Sequence, residues 1–299
     1  MRRNSVTTRS PHPDQVIRER PYTRGAPEDL RNPRIVILIH GFANSERAAI
    51  KNYERFRKEL RTALRGEPET GVGAFWEFHW PGDHPKRRTT LRTYPVRVPE
   101  ASNAGRMLAE WLSEVTNAEQ DVYLIGHSLG CRVALEAIRT MRRYQRGPAA
   151  YKGATVREVF LLAAAVPANL CSPRRIFGSK LPQSREHVFF SGRDHVLSWL
   201  FEPGQAKYGE KGPAVGLHGD PHQLDDHEER WDSRVPTSLG HSGYWKSAKV
   251  AEEICRILGI AGERSLPELS SAREELPPEG REVVGQQLPE RYLPARGRR

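Results

Sequence analysis

Cysteine is scarce: Cys131, Cys171 and Cys255 are the three in 299 residues. They are odd in number, far apart and without a C-x-x-C pair, which excludes a disulfide framework. Each reads as a small buried hydrophobe in a reducing compartment. Long apolar runs are also missing, and none approaches the roughly 18 residues that a transmembrane helix needs. Arg2 and Arg3 have no apolar stretch behind them, so the first ten residues do not read as a secretory signal. These absences lead us to expect a soluble, cytoplasmic protein. Apolar residues as a class are few, 37% of the chain against the roughly 45–50% usual in globular domains. The mean hydropathy is −0.67. Part of the chain is therefore expected to lie outside any core.

Positive charge is what the sequence has in excess. The formal net charge is +10 and the pI about 9.7, which first invites a polyanion-binding reading. Partition by segment weakens it. Residues 1–32 hold seven Arg against four acids, and residues 262–299 hold seven Arg against seven Glu. Both ends read as flexible tails, because such segments bury too little apolar surface to offset their ordering entropy. Residues 33–261 remain as one globular domain carrying +7. The arginines there are spread over several elements, with the densest run at Arg142, Arg143 and Arg146. No recognition helix, aromatic RNA platform or zinc finger accompanies them, so no nucleic-acid partner is expected.

Within 33–261 the pattern alternates. Arg34 to His40 is a continuous β-branched run ending at Gly41, the mark of a strand covered on both faces. Residues 45–64 follow at helical spacing, then a strand over 75–80 closed by Pro81-Gly82, and a helix over 104–115. Further strands are expected at 122–125, 156–163 and 188–191. Helices are expected over 129–138 and over 242–260. This order predicts a doubly wound, mostly parallel sheet with helices on both faces.

Gly126-His127-Ser128-Leu129-Gly130 matches G-x-S-x-G, placed directly between a predicted strand and a predicted helix. That setting is what the chemistry requires. The turn is tight enough that side chains at Gly126 and Gly130 would clash. It lifts the Ser128 hydroxyl above the sheet at a helix N-terminus, whose free N–H groups and dipole favour an oxyanion.

The stretch resembles the nucleophile elbow of the α/β-hydrolase superfamily. His40-Gly41-Phe42 resembles the family's HG oxyanion motif, and Trp80-Pro81-Gly82 resembles a feature of a bacterial branch, largely of unknown function, with lipase-like elbows. The resemblance covers roughly residues 33–258 and implies the α/β-hydrolase fold with a Ser-acid-His order along the chain. Ser128 is then the expected nucleophile. The backbone N–H groups of Phe42 and Leu129 would form the oxyanion hole, with His40, Gly41, Gly126, His127 and Gly130 in support. Asp194, in the turn after the 188–191 strand, is the expected acid, because the competing stretch 163–169 holds no carboxylate. His241, in Gly240-His241-Ser242 before the final helix, is the expected base.

Those roles imply a serine hydrolase acting on a small-molecule carboxylic ester or related acyl bond through an acyl-enzyme, with no cofactor and no metal. The same residues would serve an acyltransferase or thioesterase. A non-catalytic binding protein on this fold is a third reading, which an intact Ser-Asp-His set disfavours. The acid- and histidine-rich stretch 219–229 matches no metal-ligand spacing and reads as a solvated loop. The segment 167–185 is too short for a large cap, so the cap is expected to be small or absent. Arg174 to Phe177 could form one covering helix, and the loop 202–234 is the other candidate for shaping access. Oligomeric state is not legible.

Overall fold

Eight strands form one sheet in the order β2-β1-β4-β3-β5-β6-β7-β8. The strands are β1 (Asn4–Arg9), β2 (Ile17–Arg24), β3 (Arg34–Ile39), β4 (Ala74–His79), β5 (Asp121–His127), β6 (Thr155–Leu162), β7 (Arg185–Phe190) and β8 (Ser233–Pro236). Among the described residues the α-helices are α1 (Glu46–Ala63), α2 (Tyr94–Val115), α3 (Gly130–Arg146), α4 (Glu202–Ala206), α5 (Val215–His218) and α6 (Ala248–Ile257). This architecture comes from a computed structural model that describes residues 3–10, 17–65, 71–83, 93–146, 151, 153–172, 174–219 and 231–260. The expected C-terminal tail 262–299 and most of the acid- and histidine-rich stretch lie outside the described residues.

Only the β1–β2 pair is antiparallel; every other pairing in the sheet is parallel. The fold is therefore the mostly parallel α/β-hydrolase sheet that the sequence led us to expect. The chain steps from β3 to β4 in one direction and from β4 over β3 to β5 in the other. With right-handed crossovers, that reversal puts α1 on one face and α2 and α3 on the opposite one. α6 packs against α1, and α2 against α3. Covered on both faces, the central strand β3 has Ile35, Val36, Ile37, Leu38 and Ile39 all essentially inaccessible, which is why it reads as an unbroken apolar run. α1 is capped by Ser45, whose side chain accepts the Ala48 N–H, and buries Ala49, Tyr53, Phe56 and Leu60 on one stripe.

The N-terminal segment corrects an expectation. Residues 1–32 read as a flexible tail, yet they contribute β1 and β2, and the compact unit spans Met1–Gly262. β1 has a single apolar residue, Val6, which is buried. Polar bonds hold it instead. Arg3 Nε donates to Glu77 Oε1 at 3.1 Å, the Thr7 hydroxyl donates to the His79 carbonyl at 3.1 Å, and Asn4 Oδ1 accepts the Ala26 N–H at 3.0 Å. A strand stabilised this way has no hydrophobic alternation to betray it.

α2 also begins ten residues earlier than expected, at Tyr94. Pro95 sits in its first turn and Pro99 inside it. A proline in the first turn costs no hydrogen bond, because that N–H has no partner in a helix anyway.

Candidate active site

Each residue of the expected constellation follows the carboxyl end of a strand, the end at which ligands bind in open α/β sheets; Phe42 and Ser128 flank the point where strand order reverses. Ser128 follows β5, Phe42 follows β3, Asp194 follows β7 and His241 follows β8. Ser128 has φ +55°, a left-handed conformation that a non-glycine residue holds only when its surroundings impose it. They do so through three backbone bonds. The Ser128 N–H donates to the Leu162 carbonyl at 2.9 Å, and its carbonyl accepts from the Cys131 and Ala165 N–H groups at 3.1 Å each. A Cβ at Gly130 would lie 2.5 Å from the His40 and Ile39 carbonyl oxygens, and one at Gly41 would lie 2.7 Å from the Ser128 Cβ. Only glycine lets these three segments meet.

The three expected side chains are in contact. His241 Nε2 lies 2.8 Å from Ser128 Oγ, and His241 Nδ1 lies 2.8 Å from Asp194 Oδ2. An ionised carboxylate only accepts, so Nδ1 carries the proton and Nε2 offers its lone pair to the serine hydroxyl. Asp194 is fully buried. Its other oxygen, Oδ1, accepts the Leu197 N–H at 3.0 Å, which caps the turn that follows. One aspartate thus orients the imidazole and starts the next segment.

His127 lies behind His241. Its Nε2 donates to the His241 carbonyl at 2.7 Å, and the two rings are 5.1 Å apart. Burial, reinforced by the neighbouring His241, pushes its pKa down to about 3, so the ring is neutral at physiological pH. His40 is held neutral in the same way, well below the ordinary value, by burial first and the Arg9 charge second. Both rings stay on the supporting side.

The family Alpha/beta hydrolase of unknown function (DUF900) matches residues 27–201. The chain belongs to this family. No curated protein matches it. Among solved structures, the type II thioesterase YbtT of the yersiniabactin pathway is 12% identical, with 76% of this chain and 92% of that one covered and a TM-score of 0.39. A phosphonate-inhibited Esterase B from Lactobacillus rhamnosis is 14% identical, with 76% of each chain covered and a TM-score of 0.38. The esterase Est2 of Thermogutta terrifontis is 13% identical, with 78% of this chain and 85% of that one covered and a TM-score of 0.35. None of these three likenesses bears on the reaction.

In this α/β hydrolase the loop after β3 is fastened from two sides. The Trp80 indole N–H donates to the His40 carbonyl at 2.7 Å, with the ring stacked on His40. The Ala43 N–H donates to the Gly82 carbonyl at 2.7 Å. Trp80-Pro81-Gly82 therefore acts as a brace for Gly41 and Phe42. Asn44, which sequence reading passed over, donates its side-chain amide to the Phe42 carbonyl at 3.1 Å. The position of a Gly41 Cβ, 3.2 Å from Ser128 Oγ, shows how closely this backbone passes the hydroxyl.

Ser128 and His241 open into a cavity of about 410 Å³ whose other walls are almost wholly apolar. Phe42, Tyr94 and Ala165 form one side. Val196, Leu197, Leu200, Phe201 and Pro203 form the roof, with Lys207 at its edge. The roof is a π-helical turn, Leu197–Phe201, running into α4. Among the described residues the cover over the cavity comes from the segment after Asp194. The covering helix expected from Arg174 to Phe177 is not formed: Phe177 points into the core instead.

The roof is tied to the elbow helix by a residue the sequence reading did not single out. Arg132 is buried at the start of α3 and holds Glu210 with two bonds of 2.7 Å, while its Nε donates to Ser102 Oγ at 2.9 Å. Glu210 in turn accepts from Gln205, whose Oε1 accepts the Tyr94 hydroxyl at 3.1 Å. Among the described residues no group of three or more His, Cys, Asp or Glu could hold a metal ion.

Proposed function

We propose that this α/β hydrolase cleaves a carboxylic ester with an apolar acyl group, using Ser128 as nucleophile, His241 as general base and acid, and Asp194 as the group that orients and charges-balances the imidazole. What carries the reading is the unbroken chain of two 2.8 Å contacts from Asp194 through His241 to Ser128 Oγ, opening into an apolar cavity.

In the first step the Ser128 oxygen attacks the ester carbonyl carbon while its proton passes to His241 Nε2. The carbonyl oxygen becomes an oxyanion facing the N–H groups of Phe42 and Leu129. Collapse of that intermediate breaks the carbon–oxygen bond, and His241 returns the proton to the leaving alcohol. Water then repeats the sequence on the acyl-enzyme, releasing the acid and restoring the serine.

A fluorophosphonate probe tests this directly. The wild-type protein should label at one site and Ser128→Ala should not. Equal labelling of the variant, or no labelling and no turnover of any chromogenic ester by the wild type, would refute it.

A further inference from the structure

Six tryptophans occur in the chain, and five of them, Trp76, Trp80, Trp111, Trp231 and Trp245, are at most 2% exposed. Trp199 is 70% exposed. It lies on the roof turn, where Leu200 is 47% and Val196 40% exposed. Val196 and Leu200 also line the cavity over Ser128, so the apolar interior continues outward into an apolar patch at its mouth. Exposed cations lie along the same stretch of chain: Arg193 before Val196, Lys207 at the cavity edge and Lys211 after it. Of the three acids between Arg193 and Lys211, Asp194 is fully buried and Glu210 is already paired with Arg132, which leaves Glu202. A contiguous apolar patch of this kind marks an interaction surface. Exposed Trp and Leu accompanied by Lys and Arg match the chemistry of a lipid headgroup boundary, where an indole sits at the interface and cations meet anionic lipid.

We propose that the roof turn, Val196, Trp199 and Leu200 with Arg193, Lys207 and Lys211, is a docking surface for an anionic lipid bilayer. The cavity mouth then faces the membrane, and an acyl chain can pass from lipid to Ser128 without crossing water. This substrate route rests on the proposed role of Ser128; the docking itself does not.

The test uses Ser128→Ala, so that binding is read apart from turnover. Vesicles of phosphatidylcholine alone are compared with vesicles carrying 30% phosphatidylglycerol. Because Trp199 is the one exposed tryptophan, acrylamide quenching of the protein's emission reports on it. With anionic vesicles the emission should shift to the blue and quenching should fall, and added salt should reverse both. Adding Trp199→Ser should weaken sedimentation with anionic vesicles about ten-fold; an unchanged circular dichroism spectrum confirms its fold. Absence of anionic-vesicle binding, or equal binding by the Trp199→Ser protein, overturns the proposal. So does protection of Trp199 by raised protein concentration without lipid, which would assign the patch to a second copy. Failure of probe labelling at Ser128 would sink the proposed reaction and leave the vesicle result standing.

Discussion

Acid should loosen this protein through histidines that cannot take up a proton. His127 is the clearest case, with a pKa of about 3 in the folded protein against an ordinary value near 6.5 in the unfolded chain. Above pH 6.5 the ring is neutral in both states and contributes no pH dependence. Below it, the unfolded chain binds a proton that the folded protein refuses, so stability falls with falling pH by about 1.4 kcal/mol per unit per group. Between pH 7.5 and 5.0 only the last 1.5 units or so count, giving a loss of about 2 kcal/mol from His127. His40, lowered by burial and by Arg9, adds a loss of the same sign. The loss from His127 alone is a substantial part of the roughly 5–15 kcal/mol that holds an ordinary domain together. Urea unfolding at the two pH values measures it. His127→Gln retains an amide that can bond the His241 carbonyl but does not titrate, so the loss should shrink by about 2 kcal/mol. A wild-type protein equally stable at both pH values, or a His127→Gln variant with an undiminished loss, would refute the assignment of a neutral buried imidazole.

Two further outcomes follow from contacts elsewhere. Deleting residues 1–25 should expose the β4 edge that β1 covers, and the product should aggregate; a soluble, fully labelled monomer on gel filtration would show that β1 is dispensable. Arg132→Ala strands Glu210 and Gln205, which should cost about 3 kcal/mol of stability by thermal unfolding and raise KM for a chromogenic ester more than it lowers kcat. An unchanged KM would mean that the roof does not depend on this clamp.

What sequence reading reached, it reached where physics leaves a periodic or steric trace. β3 is covered on both faces and so is continuously apolar. The elbow needs glycine at 126 and 130, and the resemblance to the α/β-hydrolase superfamily then points to Asp194 and His241, which lie in one chain of contacts with Ser128. What it missed leaves no such trace. β1 is held by Arg3, Asn4 and Thr7 rather than by apolar alternation. The first turns of α2 are masked by Pro95 and Pro99, although one proline suits its position. The roof is a π-helical turn whose residues split between cavity and solvent, a pattern that matches neither helical nor strand period. Trp80 was noticed as part of a resemblance. Its bond to the His40 carbonyl, across forty residues of sequence, has no signature in the sequence.

The polarity that hid β1 has a consequence during synthesis. β1 is made well before its parallel partner β4, whose Trp76 lies beside Asn4 and whose His79 lies beside Thr7. At the usual 5–20 residues per second, the ribosome needs roughly 4–14 s to deliver that partner. β2 can close one side of β1 early, but through the whole interval the edge destined for β4 stays open. A Val- and Ile-rich strand held that long would invite association between nascent chains. A strand whose one apolar side chain is Val6 stays solvated until the sheet edge arrives to receive it.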